Sequence, residues 1–207
     1  MRKKTHLFQR GYGLEFATKK IVIGVTGCDR GVGVTHFTFM LAAYLKQHLH
    51  KSVAVLDFSD GNDYMNLYSE YYSNAPAPQE NFLIHQIYLY PKINKRCITN
   101  VINENFDVII IDFSTNMKKY LEEFLRCDEK YVVGSTCDWK IRTFEKFIED
   151  SKHCVGNHLW KYLIPYAQEK ELTWLRKEYE ITTVSVPFNQ NPFIVMIPAL
   201  KQLQKLF

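Results

Sequence analysis

Between positions 26 and 36 the chain reads Thr-Gly-Cys-Asp-Arg-Gly-Val-Gly-Val-Thr-His. This glycine-rich turn follows a short β-branched apolar run over 20–26. It precedes a helical pattern over 35–49, in which Phe37, Met40, Leu41, Tyr44 and Leu45 recur at helical spacing. A strand, a glycine turn and a helix in that order point backbone N–H groups and a helix N-terminus at one place, and an anion suits that place. The chemistry this allows is phosphate binding. A phosphate loop reads GxxxxGK[ST]. Here Gly33 and Thr35 stand at the second glycine and the hydroxyl positions, while Cys28 replaces the first glycine directly after Gly27. Val34 stands where the lysine belongs. Two more apolar runs each end in a carboxylate: Val53 to Leu56 before Asp57, and Val108 to Ile111 before Asp112.

These residues need a scaffold that brings strand ends together. A fourth run, Tyr131 to Val133, ends near Gly134 and Ser135, and later strands are expected over 159–164 and 181–186. Helical patterns over 117–126, 140–152 and 167–178 fill most of the gaps. Short continuous apolar strands alternating with helices predict a parallel sheet covered on both faces. The expected fold is a three-layer α/β/α sandwich with a mostly parallel central sheet. Its ligand crevice lies outside the carboxyl ends of the strands.

The 207 residues suffice for a single domain over 19–207 behind a basic arm at 1–18. Residues 1–20 hold six Lys or Arg against one Glu, and the rest of the chain holds 20 against 21 acidic residues. The net charge of +4 is therefore a property of the arm. Such an arm reads as a solvated leader, or as a contact to nucleic acid or anionic membrane. No apolar run is long enough to cross a bilayer, and the arm lacks the apolar stretch of a secretory signal. Five cysteines at 28, 97, 127, 137 and 154 form no CxxC pair. They read as reduced thiols, which fits a cytoplasmic protein, peripheral to membrane through partners at most. His48 and His50, two apart, share no helical face and read as surface residues.

The glycine segment after its strand resembles the MinD/ParA branch of P-loop ATPases, whose deviant Walker A loop reads Gly-Lys-Gly-Gly-Val-Gly-Lys-Thr. The similarity continues at 53–62, which is similar to the family's second strand and its Asp-x-Asp switch segment. It continues again at 106–114, which is similar to the Walker B strand. Order and spacing agree over about residues 19–136, and from 137 onward only the pattern agrees. Val186-Pro187-Phe188-Asn189 resembles the late loop that borders the base in that family.

The resemblance implies a P-loop NTPase-like fold, ATP or ADP with Mg²⁺ as cofactor, and a homodimer or protein partner. It puts Gly27, Arg30, Gly31, Val32, Gly33, Val34, Thr35, His36, Asp57, Asp112 and Asn189 at the nucleotide. It makes Thr35, Asp57 and Asp112 the magnesium residues, with Ser59 at the second switch position and Asp60 after it. The bland alternatives are strand-end carboxylates that accept N–H bonds from the next turn, and a threonine at home in a first helical turn.

The departures from the family pattern concern charge. The family's signature lysine falls on Asp29 and its Walker lysine on Val34. Two cations are gone and one anion is added. A unit charge about 4 Å from a phosphate is worth about 4 kcal/mol at an effective dielectric of about 20. Losing such charges weakens triphosphate binding, and weakens the transition state further. Arg30, Lys140 and Arg142 are the candidate replacement cations. The implied protein is a pseudo-ATPase scaffold that keeps the loop and lacks hydrolysis, with nucleotide weak or absent. The alternative is an active ATPase with a rearranged loop that positions cellular machinery at membrane or DNA. Among small relatives it looks most like the TadZ/CpaE group, which localises pilus secretion machinery.

Two other stretches bear on partners. Tyr64, Leu67, Tyr68 and Tyr71 form one aromatic helical face, which is either core or interface. The segment Pro198–Phe207 places Leu200, Leu203, Leu206 and Phe207 on one side. At ten residues it is short for a membrane anchor, so docking on the body is expected.

Overall fold

The computed structural model describes residues 20–73, 75–187 and 189–207. The basic arm at 1–18 lies outside the described residues. Among the described residues eight strands form one sheet: β1 (Ile21–Gly27), β2 (Val53–Asp57), β3 (Phe82–Ile84), β4 (Ile87–Tyr90), β5 (Val108–Asp112), β6 (Glu129–Val133), β7 (Lys161–Pro165) and β8 (Thr182–Val186). Their order is β3-β4-β2-β5-β1-β6-β7-β8, and only the β3–β4 pair is antiparallel. The described residues also form seven α-helices: α1 (Val34–Gln47), α2 (Asp63–Tyr71), α3 (Lys95–Asn103), α4 (Leu121–Arg126), α5 (Ile141–Ser151), α6 (Glu169–Tyr179) and α7 (Ile197–Leu203), the last of which follows β8. This is the expected three-layer sandwich.

Alternation along the central strands divides the core. Val53, Val55, Val108 and Ile110 face α1, α2 and α7, whereas Ala54, Leu56, Ile109 and Ile111 face α3 to α6. Both faces of β2 and β5 are fully buried, which is why their sequences run apolar without a polar alternate. The chain leaves β1 for β2 on one side, and after β5 it crosses to β6 on the other. The carboxyl end of β1, where the glycine turn begins, is therefore the topological switch point at which such sheets hold ligands.

Several boundaries differ from the sequence expectation. Leu159 lies in a 3-10 turn (Asn157–Leu159) and is 69% exposed, so the seventh strand starts only at Lys161. The helix expected over 117–126 shortens to α4, because residues 116–120 make single turns first. The tyrosine face divides: Tyr64 and Tyr68 are buried, while Tyr71 is half exposed. The C-terminal segment docks as expected, with Leu203 and Leu206 buried and Phe207 stacked on Tyr44 of α1 at 5.9 Å.

Gly134, at the end of β6, sits against the ring of the fully buried Phe144 of α5. A Cβ there would lie 2.4 Å from the nearest ring carbon. Gly134→Ala is expected to destabilise the chain by about 1–3 kcal/mol, the usual cost of overpacking. Urea denaturation measures it, and an unchanged midpoint would contradict this packing.

Candidate functional site

The glycine turn crosses the top of the sheet. Gly27 N–H donates to the Ser114 carbonyl (2.8 Å) and Cys28 N–H to the Val133 carbonyl (3.0 Å), which ties the loop to both neighbouring strand ends. Gly31 and Gly33 have φ of 70° and 98°, and a Cβ on either would meet nothing within 4 Å. Glycine is required there for the backbone, and the loop has open space beside it. Gly33 is the N-cap of α1, and no side chain caps that end. The first-turn N–H groups are left to a ligand or water. Thr35 is partly exposed and His36 is exposed, both in that first turn.

Val34 and Val32 point inward and are 7% and 6% exposed. A Cβ added at Gly27 would lie 2.5 Å from Val34 Cγ2 and 2.9 Å from Val32 Cγ2. The two valines thus occupy the surface of Gly27. Where a lysine would deliver an ammonium group, this chain packs a methyl group.

The loop is not without a cation. Lys140, the N-cap of α5, reaches across to it: its Nζ donates to Asp29 Oδ2 (2.9 Å) and to the Arg30 carbonyl. Asp29 Oδ1 also accepts the Arg30 N–H (2.7 Å). The Lys140 hydrogen bond, and then the Arg30 N–H, hold the Asp29 carboxyl below its usual range. Asp29 is thus turned back onto its own loop and paired. Arg30 and Arg142 are exposed.

Beside the loop stand two carboxylates. Asp57 and Asp112 are register partners at the ends of β2 and β5, and they are 1% and 0% exposed. Asp57 Oδ1 accepts the Ser59 N–H (2.8 Å) and its Oδ2 the Lys92 N–H (3.3 Å). Asp112 Oδ1 accepts the Ser114 N–H (2.9 Å), and its Oδ2 accepts the Tyr64 hydroxyl (3.2 Å). Burial pushes Asp112 up to about 6, and the Thr35 hydroxyl beside it acts in the opposite sense. Burial likewise raises Asp57.

Of the remaining expected residues, Asp60 is exposed and pairs with Lys119 (3.4 Å). Asn189 is buried, and its amide nitrogen donates to the carbonyls of Asn191 and Ile194 (both 2.9 Å). Those donors hold their own loop together. The turn therefore gathers Gly27, Arg30, Gly31, Val32, Gly33, Val34, Thr35 and His36, with Asp57 and Asp112 alongside. Tyr64 was missed as a site residue. The only sequence signal was its place one turn after the switch segment.

The open cradle and the uncapped helix end fit a phosphate group. At the metal position Asp57 and Asp112 are enclosed, and each of their four oxygens accepts one hydrogen bond from the protein, which leaves each a lone pair. Among the described residues no cluster of three or more His, Cys, Asp or Glu is arranged to hold a metal.

No protein-family model and no curated protein sequence matches the chain. Solved structures do. The chain is similar to the MinD cell division protein of Aquifex aeolicus, with a TM-score of 0.65 and 15% identity over 90% of this chain and 94% of that one. It is similar to a putative plasmid partition protein of Borrelia burgdorferi solved with AMPPNP, with a TM-score of 0.61 and 14% identity over 91% and 97%. It is also similar to cobyrinic acid a,c-diamide synthase of Mycobacterium smegmatis, solved with an ATP analogue and magnesium (TM-score 0.63, 13% identity, 90% and 92% covered). The fold is that of the MinD/ParA-like P-loop proteins. No helix among the described residues is long and apolar enough to cross a membrane.

Proposed function

We propose that this chain is a degenerate MinD/ParA-like P-loop protein. It keeps the phosphate loop, has lost ATP hydrolysis, and serves as a localisation or scaffold factor through a homodimer or a protein partner. The buried contact of Val34 on Gly27 carries the reading. It fills with methyl groups the place from which a lysine would neutralise developing phosphoryl charge, and that neutralisation is most of the catalysis in this class. Calorimetric titration with ATP and with ADP, each with Mg²⁺, tests it alongside phosphate release. The expected result is no release and no binding tighter than about millimolar, some 4 kcal/mol. Micromolar affinity or turnover would overturn the reading.

One observation favours the alternative, an active ATPase: Lys140 Nζ already lies on the loop. Lys140→Ala separates the two, since only an active enzyme has turnover to lose. Partners of the basic arm, whether nucleic acid or anionic membrane, are tested by deleting residues 1–18. If the arm binds them, the deletion abolishes an association that falls steeply with salt. Unchanged binding sinks that role.

A further inference from the structure

Apart from the glycine turn, the described residues form a second hollow. It lies between the end of β4, the 91–93 turn, α3 and residues 79–80, and its volume is about 190 Å³. We infer that this hollow is a binding site for a small organic cation, a primary amine on a short apolar body. The inference goes beyond the function proposed above and does not depend on it.

Size and walls set the body of the ligand. Pockets for drug-sized molecules run from roughly 300 to 1,000 Å³, so this one suits a shorter molecule. Pro91, Ile93 and Val101 give it an apolar wall, with Val101 buried and the other two half-buried. The 91–93 turn is tied to the sheet. The Lys92 N–H donates to Asp57 Oδ2 (3.3 Å), and the Ile93 N–H donates to the Asp57 carbonyl (2.9 Å). A wall carried on tied backbone is formed before any ligand arrives, which lowers the ordering cost of binding.

The polar lining sets the head group. Glu80 and Glu104 both line the hollow. The hydroxyl of the buried Tyr90 donates to Glu104 Oε2 (2.8 Å), which orients that carboxylate and leaves Oε1 without a partner among the described residues. Burial, then the Glu104 hydrogen bond and the charges of Glu104 and Glu80, hold the Tyr90 phenol above its ordinary range, so it stays a donor. Both carboxylates thus act on one hydroxyl from within electrostatic reach. Neither is in an ion pair among the described residues. Lys92 lines the hollow but pairs with neither of them, and Lys20 Nζ is engaged by the main-chain carbonyls of Ile102 and Glu104. Glu104 is also the C-cap of α3, where the end of the helix adds negative potential. A cation is what this corner lacks, and the apolar wall favours an organic one over a bare metal ion.

Cyclohexylamine, charged at neutral pH, and cyclohexanol, its neutral match in shape, test this in an amide NMR titration of the full chain. The amine is expected to bind saturably at about millimolar, with the largest shifts at Ile93, Cys97 and Val101. It is expected to bind about fivefold more tightly than the alcohol, the scale of two solvated ion pairs. Glu104→Gln keeps an acceptor for Tyr90 but removes the charge, and should bring the amine down toward the alcohol. Glu80→Gln should remove part of the difference. Circular dichroism reports folding, and if Glu104→Gln does not fold, Glu80→Gln decides alone. Equal affinity of amine and alcohol overturns the inference. So does amine binding that ignores the substitutions, binding whose shifts centre elsewhere, or the absence of saturable binding.

Discussion

Val34→Lys is expected to bind inorganic pyrophosphate about tenfold to a hundredfold more tightly than the parent chain, at about 1.4 kcal/mol per tenfold. The lysine stem would lie on the Gly27 surface that the Val34 methyls now cover, and the ammonium would emerge into the open space beside Gly31 and Gly33. A cation about 4 Å from a phosphate oxygen contributes about 4 kcal/mol at an effective dielectric of about 20. Part of that is lost to stem ordering and to the nearby Asp29. Val34→Met supplies a long stem without charge and should gain nothing. Calorimetry of the three proteins in chelator decides the matter: equal affinity for the Lys and Met variants would show that charge is not what the loop lacks. Asp29→Asn is expected to act in the same direction and more weakly, since it frees Lys140 from its carboxylate partner at 2.9 Å.

Asp112→Asn is expected to stabilise the chain above about pH 6, by up to about 3 kcal/mol at 1.36 kcal/mol per pH unit. Burial pushes the Asp112 carboxyl from an ordinary 3.8 to about 6. Between those values the folded chain holds a proton that the unfolded chain has released. Wild-type stability therefore falls as pH rises from about 4 to about 6 and levels off above. Asparagine has no proton to lose, so the variant escapes this part of the slope. Asp57 is raised too and leaves the variant a residual slope of the same sign. Urea denaturation of both proteins at a pH near 4.5 and another near 7.5 tests this, and identical differences between the two pH values would contradict the buried-charge account. A protein that retains such a charge gives up stability for something, which is usual at functional sites.

The central strands were legible because burial on both faces leaves unbroken β-branched runs, and because Asp57 and Asp112 mark where those runs meet the rim. The glycine turn was legible for the same reason: positive φ at Gly31 and Gly33 admits few other residues. The β3–β4 hairpin was not read, since a three-residue edge strand carries too little pattern to separate from a loop. The replacement of lysine by valine was visible in the letters, but its direction into the Gly27 contact was not. Lys140 could be named only as one of three candidates, because a link from position 29 to position 140 is set by β1 lying next to β6 and not by any local spacing. Tyr64 was hidden among neighbouring tyrosines that differ only in which side of α2 they occupy.

The position of β1 in the sheet also governs the order in which this molecule can assemble. Among the described strands β1 pairs only with β5 and β6, which follow it in the chain and begin at Val108 and Glu129. A ribosome must release β5 and β6 before the glycine turn has the Ser114 and Val133 carbonyls to lie against. Until then an apolar strand and the apolar helix α1 remain uncovered. Long-range parallel pairing of this kind is slow and exposes the nascent chain to aggregation. Chaperone dependence during synthesis is thus an expected trait of the topology itself, whatever the loop binds.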